Sequence, residues 1–237
     1  MKPFLLAMFG AQGDKNHPDS LVTKGRSVAF AVASLSSGHT VFATCKHNIL
    51  DTPTLSVFDE RGQVIGVEGD GMKLLLSRQE DLDLALFTLP ICVSIERIRL
   101  STFPIEPNSD LSHAQNIGGT KECSAGTFAV TTKTTRKSQE RAICSLGSGV
   151  YEFVQDDEGV RVAKQAGRKN FYGVLHMASR PGVSGSPLWD KYGAIRGMVC
   201  GGNDADKEEP KLIYVPTRSI EAELKILLAN ERLKRRS

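Results

Sequence analysis

The stretch Arg180-Pro181-Gly182-Val183-Ser184-Gly185-Ser186-Pro187-Leu188-Trp189 sets a serine in a tight turn rich in glycine and proline, with a strand-like run after it. Gly182 and Gly185 let the backbone around Ser184 take conformations that a Cβ forbids. A turn that packs small residues around one hydroxyl lifts it clear of the surface and aims backbone N–H groups at one point. Those are the two needs of a nucleophilic serine: an accessible Oγ, and donors for the oxyanion that its attack creates. The motif is short, and a loop that merely contains a serine fits G-x-S-G equally well. The partners of Ser184 have to decide.

A serine nucleophile needs a base, and the base needs an acid to orient it. Five histidines are available: His17, His39, His47, His113 and His176. His17, His39 and His113 lie in polar, turn-like sequence and read as surface residues. His47 follows the strand-like VFATC in the segment CKHNI, where the chain leaves a sheet. A side chain there can point into a cleft while its backbone stays anchored, although His47 taken alone also fits a structural or surface role. The acid candidate is Asp83, in EDLDLALFTLP. A carboxylate entering so apolar a strand is costly unless paired. Strand alternation puts Asp83 and Ala85 on one face and Leu84 and Leu86 on the other, which leaves Asp83 partly buried. Asp81 competes for the role, and a strand-capping Asp at the surface is the plain alternative.

The elements that must hold these residues are mostly strands. SVAFAVASL (27–35), the turn SSGH and TVFATC (40–45) form one hairpin; LSVFD (55–59) and QVIGVEG (63–69) form another. MKLLLS (72–77) and LALFTLP (84–90) are further strands. Residues 101–113, with two prolines and several Asp/Ser/Asn turn signals, read as a linker between two halves. Strands resume at 126–132, 142–154, 173–178, 193–202 and 211–217. From Ser219, Ile220, Leu224, Leu227 and Leu228 recur at helical spacing, with acidic residues early and basic residues late. The reading is all-β, two small barrels and a C-terminal helix. Its divisions are an N-terminal segment over 1–24, a first barrel over 25–105, a second over 106–217, and a helix with a basic tail over 218–237.

Bulk properties exclude several classes. The 237 residues suffice for a large core, with 40% hydrophobic side chains, and the net charge of +3 is too small to argue for nucleic acid. The five cysteines, Cys45, Cys92, Cys123, Cys144 and Cys200, are odd in number and show no CxxC pair. That spacing implies neither a metal site nor a disulfide framework, and it suits a reducing, cytoplasmic setting. The apolar run in MKPFLLAMFG is short for a secretion signal, and no stretch reaches the roughly 18 apolar residues of a membrane-spanning helix.

In order, the three segments VFATCKHNI, DLALF and GVSGSP resemble the chymotrypsin-like serine proteases of the PA clan. That family has a His after a strand, an Asp opening a D-x-A-L strand, and a Ser in G-x-S-G-x-P. His47 and Asp83 are 36 residues apart and Asp83 and Ser184 are 101 apart, which suits a His and Asp on a first barrel and a Ser on a second. The resemblance spans roughly residues 25–230. It implies two six-stranded antiparallel β-barrels and a triad of Ser184, His47 and Asp83. It further implies an oxyanion hole of the Gly182 and Ser184 amides, a polypeptide substrate, and no metal or cofactor. It also implies a substrate pocket near Ala178, Ser179 and Pro181, walled by Val199, Cys200, Gly201 and Gly202.

Departures from the family pattern narrow the resemblance. Val183 stands where secreted digestive members carry an Asp that receives a freed N-terminus. Asn48 and Arg180 stand where they carry cysteines. Ser186 replaces a common Gly, and HMASRPGVSGSP is similar to the viral 3C-like serine proteases of sobemoviruses and poleroviruses. The resemblance thus implies a viral polyprotein-processing protease in the host cytoplasm. A cellular HtrA-like or trypsin-like protease is the alternative, and a protease fold turned into an RNA- or partner-binding module is the non-enzymatic one. Uncharged Ala178 argues against a Lys or Arg preference, while Ser179, or His176, could meet a polar side chain. Lys133, Arg136, Lys137 and Arg141, and Arg232, Lys234, Arg235 and Arg236, form two basic clusters that could contact RNA weakly.

Overall fold

The computed structural model describes residues 2–13, 21–50, 54–61, 63–67, 72–76, 82–103, 105, 109–117, 128–134, 138–139, 152–155, 161–165, 168–170, 172–175, 179–202 and 212–234. The first sheet holds β1 (Leu5–Gly13), β2 (Leu21–Ser34), β3 (Thr40–Thr44), β4 (Thr54–Phe58), β5 (Val64–Val67), β6 (Lys73–Leu76) and β7 (Ala85–Leu89), in the order β5-β4-β1-β2-β3-β7-β6. All its pairings are antiparallel. The second sheet draws on β8 (Asp110–Asn116), β9 (Phe128–Thr134), β10 (Ser138–Gln139), β14 (Gly173–Leu175), β15 (Pro187–Asp190), β16 (Ile195–Gly202) and β17 (Leu212–Pro216), in the order β10-β14-β17-β16-β15-β8-β9. Between β10 and β14 in sequence, β11 (Glu152–Gln155), β12 (Arg161–Gln165) and β13 (Arg168–Asn170) make a small three-stranded sheet. The architecture is the all-β, two-barrel arrangement.

Alternation along the strands of the first sheet sorts side chains into two cores. Leu6, Met8, Ala29, Ala31, Phe42, Ala85, Phe87 and Leu89 fill one within the first half. Their neighbours Leu5, Val28, Phe30, Val41, Ala43, Leu84 and Leu86 point the other way. They share a core with Trp189, Ile195, Met198 and Val215 of the second half and with Ile220, Leu224 and Leu227 of α2 (Thr217–Lys234). Because both faces of these strands are covered, β3 and β7 are buried at every residue.

Three expectations change. Residues 1–24 are not a separate lead-in, since the apolar run near the N-terminus forms β1 and pairs with both β2 and β4. The run is buried on both faces, which explains why it reads as continuously hydrophobic. The linker over 101–113 ends early: β8 begins at Asp110 and pairs with β9 along its whole length. His113, expected at the surface, is instead buried within β8, as is Asn116 at its end. Each sheet has seven strands among the described residues rather than six, β1 lying inside the first between β4 and β2 and the two-residue β10 standing at an edge of the second. The expected strand over 142–154 lies outside the described residues up to 151.

Candidate active site

His47 is placed by the end of one strand and Asp83 by the start of its neighbour. In the antiparallel pairing of β3 with β7, Thr44 lies opposite Ala85. The chain past Thr44 therefore runs alongside the chain before Ala85, and His47 meets Asp83. His47 opens a single helical turn, α1 (His47–Leu50). Its backbone N–H donates to Asp83 Oδ1 at 3.0 Å, and its Nδ1 lies 2.7 Å from Asp83 Oδ2. One carboxylate thus holds both the main chain and the ring. A carboxylate only accepts hydrogen bonds, so Nδ1 carries the proton and Nε2 is the accepting nitrogen of the ring. Asp83 is 8% exposed and the His47 side chain 38%, so the acid is enclosed and the ring reaches solvent.

Asp83 is itself fixed from two sides. Leu84 N–H donates to Leu82 O at 2.8 Å, a three-residue turn centred on Asp83. The Asp83 N–H donates to the hydroxyl of Tyr172 at 2.9 Å. Tyr172 is buried and immediately precedes β14 of the second sheet, so the second half of the molecule holds the acid of the first. Nothing in the sequence around Tyr172 signals this contact.

Ser184 stands in a loop held between the two halves. Gly182 and Gly185 have φ of +88° and +81°, the left-handed region that favours glycine. Both are also pressed by neighbours: a Cβ at Gly182 would lie 2.5 Å from Asn116 O, and one at Gly185 would collide with Val28 O and Thr44 Oγ1. Val28 N–H donates to Ser184 O at 2.9 Å, and Gly185 N–H to Val199 O at 2.7 Å. Asn116 N–H donates to Gly182 O at 2.9 Å, while the Asn116 side-chain amide donates to Met8 O and Ser27 O. The loop thus abuts Thr44, three residues before His47. Ser184 is half-buried. Among the described residues, the Gly182 and Ser184 N–H groups donate to no acceptor.

The departures noted in the sequence have local physical reasons. Val183 is buried in an apolar cluster with Leu111, Leu175, Leu188 and Val199. Ser186 is fully buried; its Oγ accepts from Ala114 N–H at 2.7 Å and donates to Pro187 O. Asn48 donates its side-chain amide to Thr44 Oγ1, which in turn donates to Val28 O. Each residue tightens the frame around Ser184 or His47.

Of the candidate pocket residues, Ser179 is half-buried, Pro181 and Gly202 are exposed and Gly201 is half-buried. Val199 and Cys200 are closed off from solvent. The Val199 backbone is spent inward: its carbonyl accepts from Gly185 N–H and from the Cys45 thiol, and its N–H donates to Ser186 O. Ala178, His176, His17 and Asp81 lie outside the described residues, as do Arg136, Lys137, Arg141, Arg235 and Arg236. Lys133 is in β9, and Arg232 and Lys234 are in α2.

Cys45 belongs to this neighbourhood although sequence reading gave it no role. It is fully buried, and its Sγ lies 3.2 Å from Val199 O. Burial pushes its thiol well above the usual range, and the nearby Asp83 and Cys200 push it further. Cys45, His47 and Asp83 each offer one donor atom, all within 4.8 Å of one another. No helix among the described residues is long and apolar enough to cross a membrane.

Comparison with solved structures finds the same fold in distant proteins. The Rv3671c protease from M. tuberculosis in its active form superposes with a TM-score of 0.58 at 14% identity, over 94% of this chain and 80% of that one. Its inactive form gives 0.57 at 15%, over 93% and 87%. The HtrA-type protease AlgW with a decapeptide gives 0.55 at 16%, over 91% of this chain and 60% of that one. No curated protein sequence matches. The trypsin-like peptidase domain matches residues 30–198, most of the chain and all of the segment from β3 through the Ser184 loop. The chain accordingly belongs to the trypsin-like peptidase domain family, and is a serine peptidase of two-barrel fold.

Proposed function

We propose that the chain is an endopeptidase in which Ser184, His47 and Asp83 act as nucleophile, base and orienting acid. The observation that carries this is the Asp83 carboxylate bridging His47 N–H and Nδ1, with the Ser184 loop wedged against Thr44 beside them. In this reading Ser184 Oγ attacks a peptide carbonyl and His47 Nε2 takes its proton. Asp83 stabilises the imidazolium and keeps the ring in place, and His47 then returns the proton to the leaving amine. The Gly182 and Ser184 amides would hold the oxyanion, a contribution of about 10²–10³ in turnover per donor. Water attack on the acyl-Ser184 ester completes the cycle.

For the substrate, two finer readings have different support. The HMASRPGVSGSP resemblance favours a viral polyprotein cut in the host cytoplasm. The HtrA-type protease of the same fold, solved with a decapeptide, favours the cellular reading. Ser186 weighs less for the viral reading than its sequence suggests, because its hydroxyl is spent inside the loop. The substrate contacts would come from Ser179, Pro181, Gly201 and Gly202, with an uncharged pocket floor at Ala178.

The test is cleavage of a peptide library and of an unstructured protein by the wild type, Ser184→Ala and His47→Ala. Turnover by the wild type alone supports the endopeptidase, and equal turnover in all three overturns it. One or two sharply preferred residues at the cut support polyprotein processing; broad tolerance supports the cellular reading.

A further inference from the structure

We propose that Cys45, His47 and Asp83 form a binding site for a zinc-type divalent cation, and that its occupation switches the peptidase off. The site needs three things. The donor atoms must converge, their chemistry must suit one metal, and binding must alter the base.

Convergence comes from the same register that pairs His47 with Asp83. Cys45 and His47 are two residues apart past the end of β3, and Asp83 faces them from the start of β7. Their donor atoms lie within 4.8 Å of one another. A tetrahedral zinc with bonds of about 2.0–2.3 Å separates its ligand atoms by roughly 3.5 Å, so a pair at the 4.8 Å limit must close by about 1 Å. The ring and Asp83 Oδ2, now 2.7 Å apart, must open by somewhat less than that to admit the ion. The Cys45 sulfur makes a weak thiol–carbonyl bond to Val199 O, and it already interacts with the Asp83 carboxylate and the Gly185 backbone.

The donor set is one thiolate, one imidazole nitrogen and one carboxylate oxygen, the mixture that borderline-soft Zn²⁺ or Co²⁺ takes and that Mg²⁺ or Ca²⁺ does not. Asp83 can ligate without losing its other duty. Its Oδ1 keeps the His47 N–H while Oδ2 turns to the metal. The ring of His47, 38% exposed, gives the ion a way in, and a water completes the shell.

Protons balance as follows. The Cys45 thiol loses one proton to solvent and becomes a thiolate. The imidazole stays neutral, but its proton leaves Nδ1, which now binds the metal, and Nε2 becomes the protonated nitrogen. One proton is released per metal bound. A protonated Nε2 has no lone pair for the Ser184 hydroxyl, so the base is disabled without any change of fold. Ligation itself stands on the geometry alone, whereas inhibition rests on the proposed catalytic role of His47.

The experiment uses the full chain with Zn²⁺ or Co²⁺ as the only probe. Titration with Co²⁺ should give a one-to-one complex with tetrahedral visible bands and a thiolate-to-cobalt charge-transfer band, with about one proton released at neutral pH. Cys45→Ala should abolish the charge-transfer band, and the Zn²⁺ concentration that halves peptidase activity should rise at least ~100-fold. Inhibition of each variant is read as a fraction of that variant's own metal-free activity. Cys45→Ser, which keeps the volume, provides the same readings should the alanine variant fold poorly. A charge-transfer band that persists without Cys45, or a complex with no such band in the wild type, overturns the site. Equal Zn²⁺ inhibition of wild type and Cys45→Ala overturns the switch. Should the chain lack peptidase activity, the cobalt spectrum still decides the site.

Discussion

Replacing Asp83 by Asn keeps the volume and one oxygen but reverses what the group asks of His47. The oxygen can still accept from the His47 backbone N–H, now 3.0 Å from Oδ1. The side-chain NH₂ then takes the place of Oδ2, 2.7 Å from Nδ1, and two N–H groups cannot face each other there. The ring must shift its proton to Nε2, where the serine needs a lone pair. This costs little stability, because α1 keeps its backbone anchor and the enclosed charge disappears. In turnover the wrong tautomer costs about 10⁴-fold in kcat, or about 5.4 kcal/mol of transition-state stabilisation, with KM nearly unchanged. The assay is steady-state cleavage of a peptide selected from the library, with circular dichroism to verify the fold. If folded Asp83→Asn keeps more than about a tenth of wild-type kcat, the assignment of Asp83 is wrong. Loss of activity in Asp81→Asn alone would move the acid to Asp81.

Four further outcomes follow from the same geometry. Tyr172→Phe leaves the buried Asp83 N–H without its acceptor and should cost about 1–3 kcal/mol, read as a fall of several degrees in Tm, with kcat reduced more than KM. Gly185→Ala combines a left-handed φ with collision against Val28 O and Thr44 Oγ1; a loss of about 2–4 kcal/mol in denaturant unfolding is expected, and an unchanged midpoint would refute the packing account. Ser186→Ala strips Ala114 N–H of its buried acceptor and should destabilise by about 1–3 kcal/mol, whereas a purely catalytic role would leave unfolding unaltered. The Cys45 thiol is held protonated in the folded chain above its ordinary value of 9.0, so the unfolded chain releases that proton first as pH rises. Stability, full below about pH 9, should then decline above it by up to ~1.4 kcal/mol per pH unit, and Cys45→Ala in chelator should lose that component of the slope.

Much of this arrangement is legible in the sequence because the relevant physics is local. VFATC and LALFT are apolar enough to be buried strands, and a charge at the edge of such a strand must be paired. That marks Asp83 as an acid in need of a partner, while its match with His47 comes from the order of segments that the family resemblance supplies. The glycines around Ser184 likewise report a turn, and both have positive φ. What escaped was long-range. Tyr172 reaches Asp83 across 89 residues of sequence, and no neighbouring residue announces it. Asn116 carries no signal in the sequence, yet it is buried and ties β8 to the backbone of β1 and β2. The cysteine spacings alone carry no metal signal, because the groups whose donor atoms lie near Cys45 Sγ are a histidine two residues on and an aspartate ahead of β7. The N-terminal run is short for a secretion signal by composition, and its place as a strand shows only in its pairing with β2 and β4.

The central claim is that Ser184 is a nucleophile activated by His47. Its most direct measurement is reaction of the folded chain with a fluorophosphonate, followed by mass spectrometry of the modified peptide. The account predicts one phosphonate per chain on Ser184, slowed by several orders of magnitude in His47→Ala and absent in Ser184→Ala. A folded chain that stays unlabelled, or that is labelled at another residue with Ser184 untouched, would contradict it.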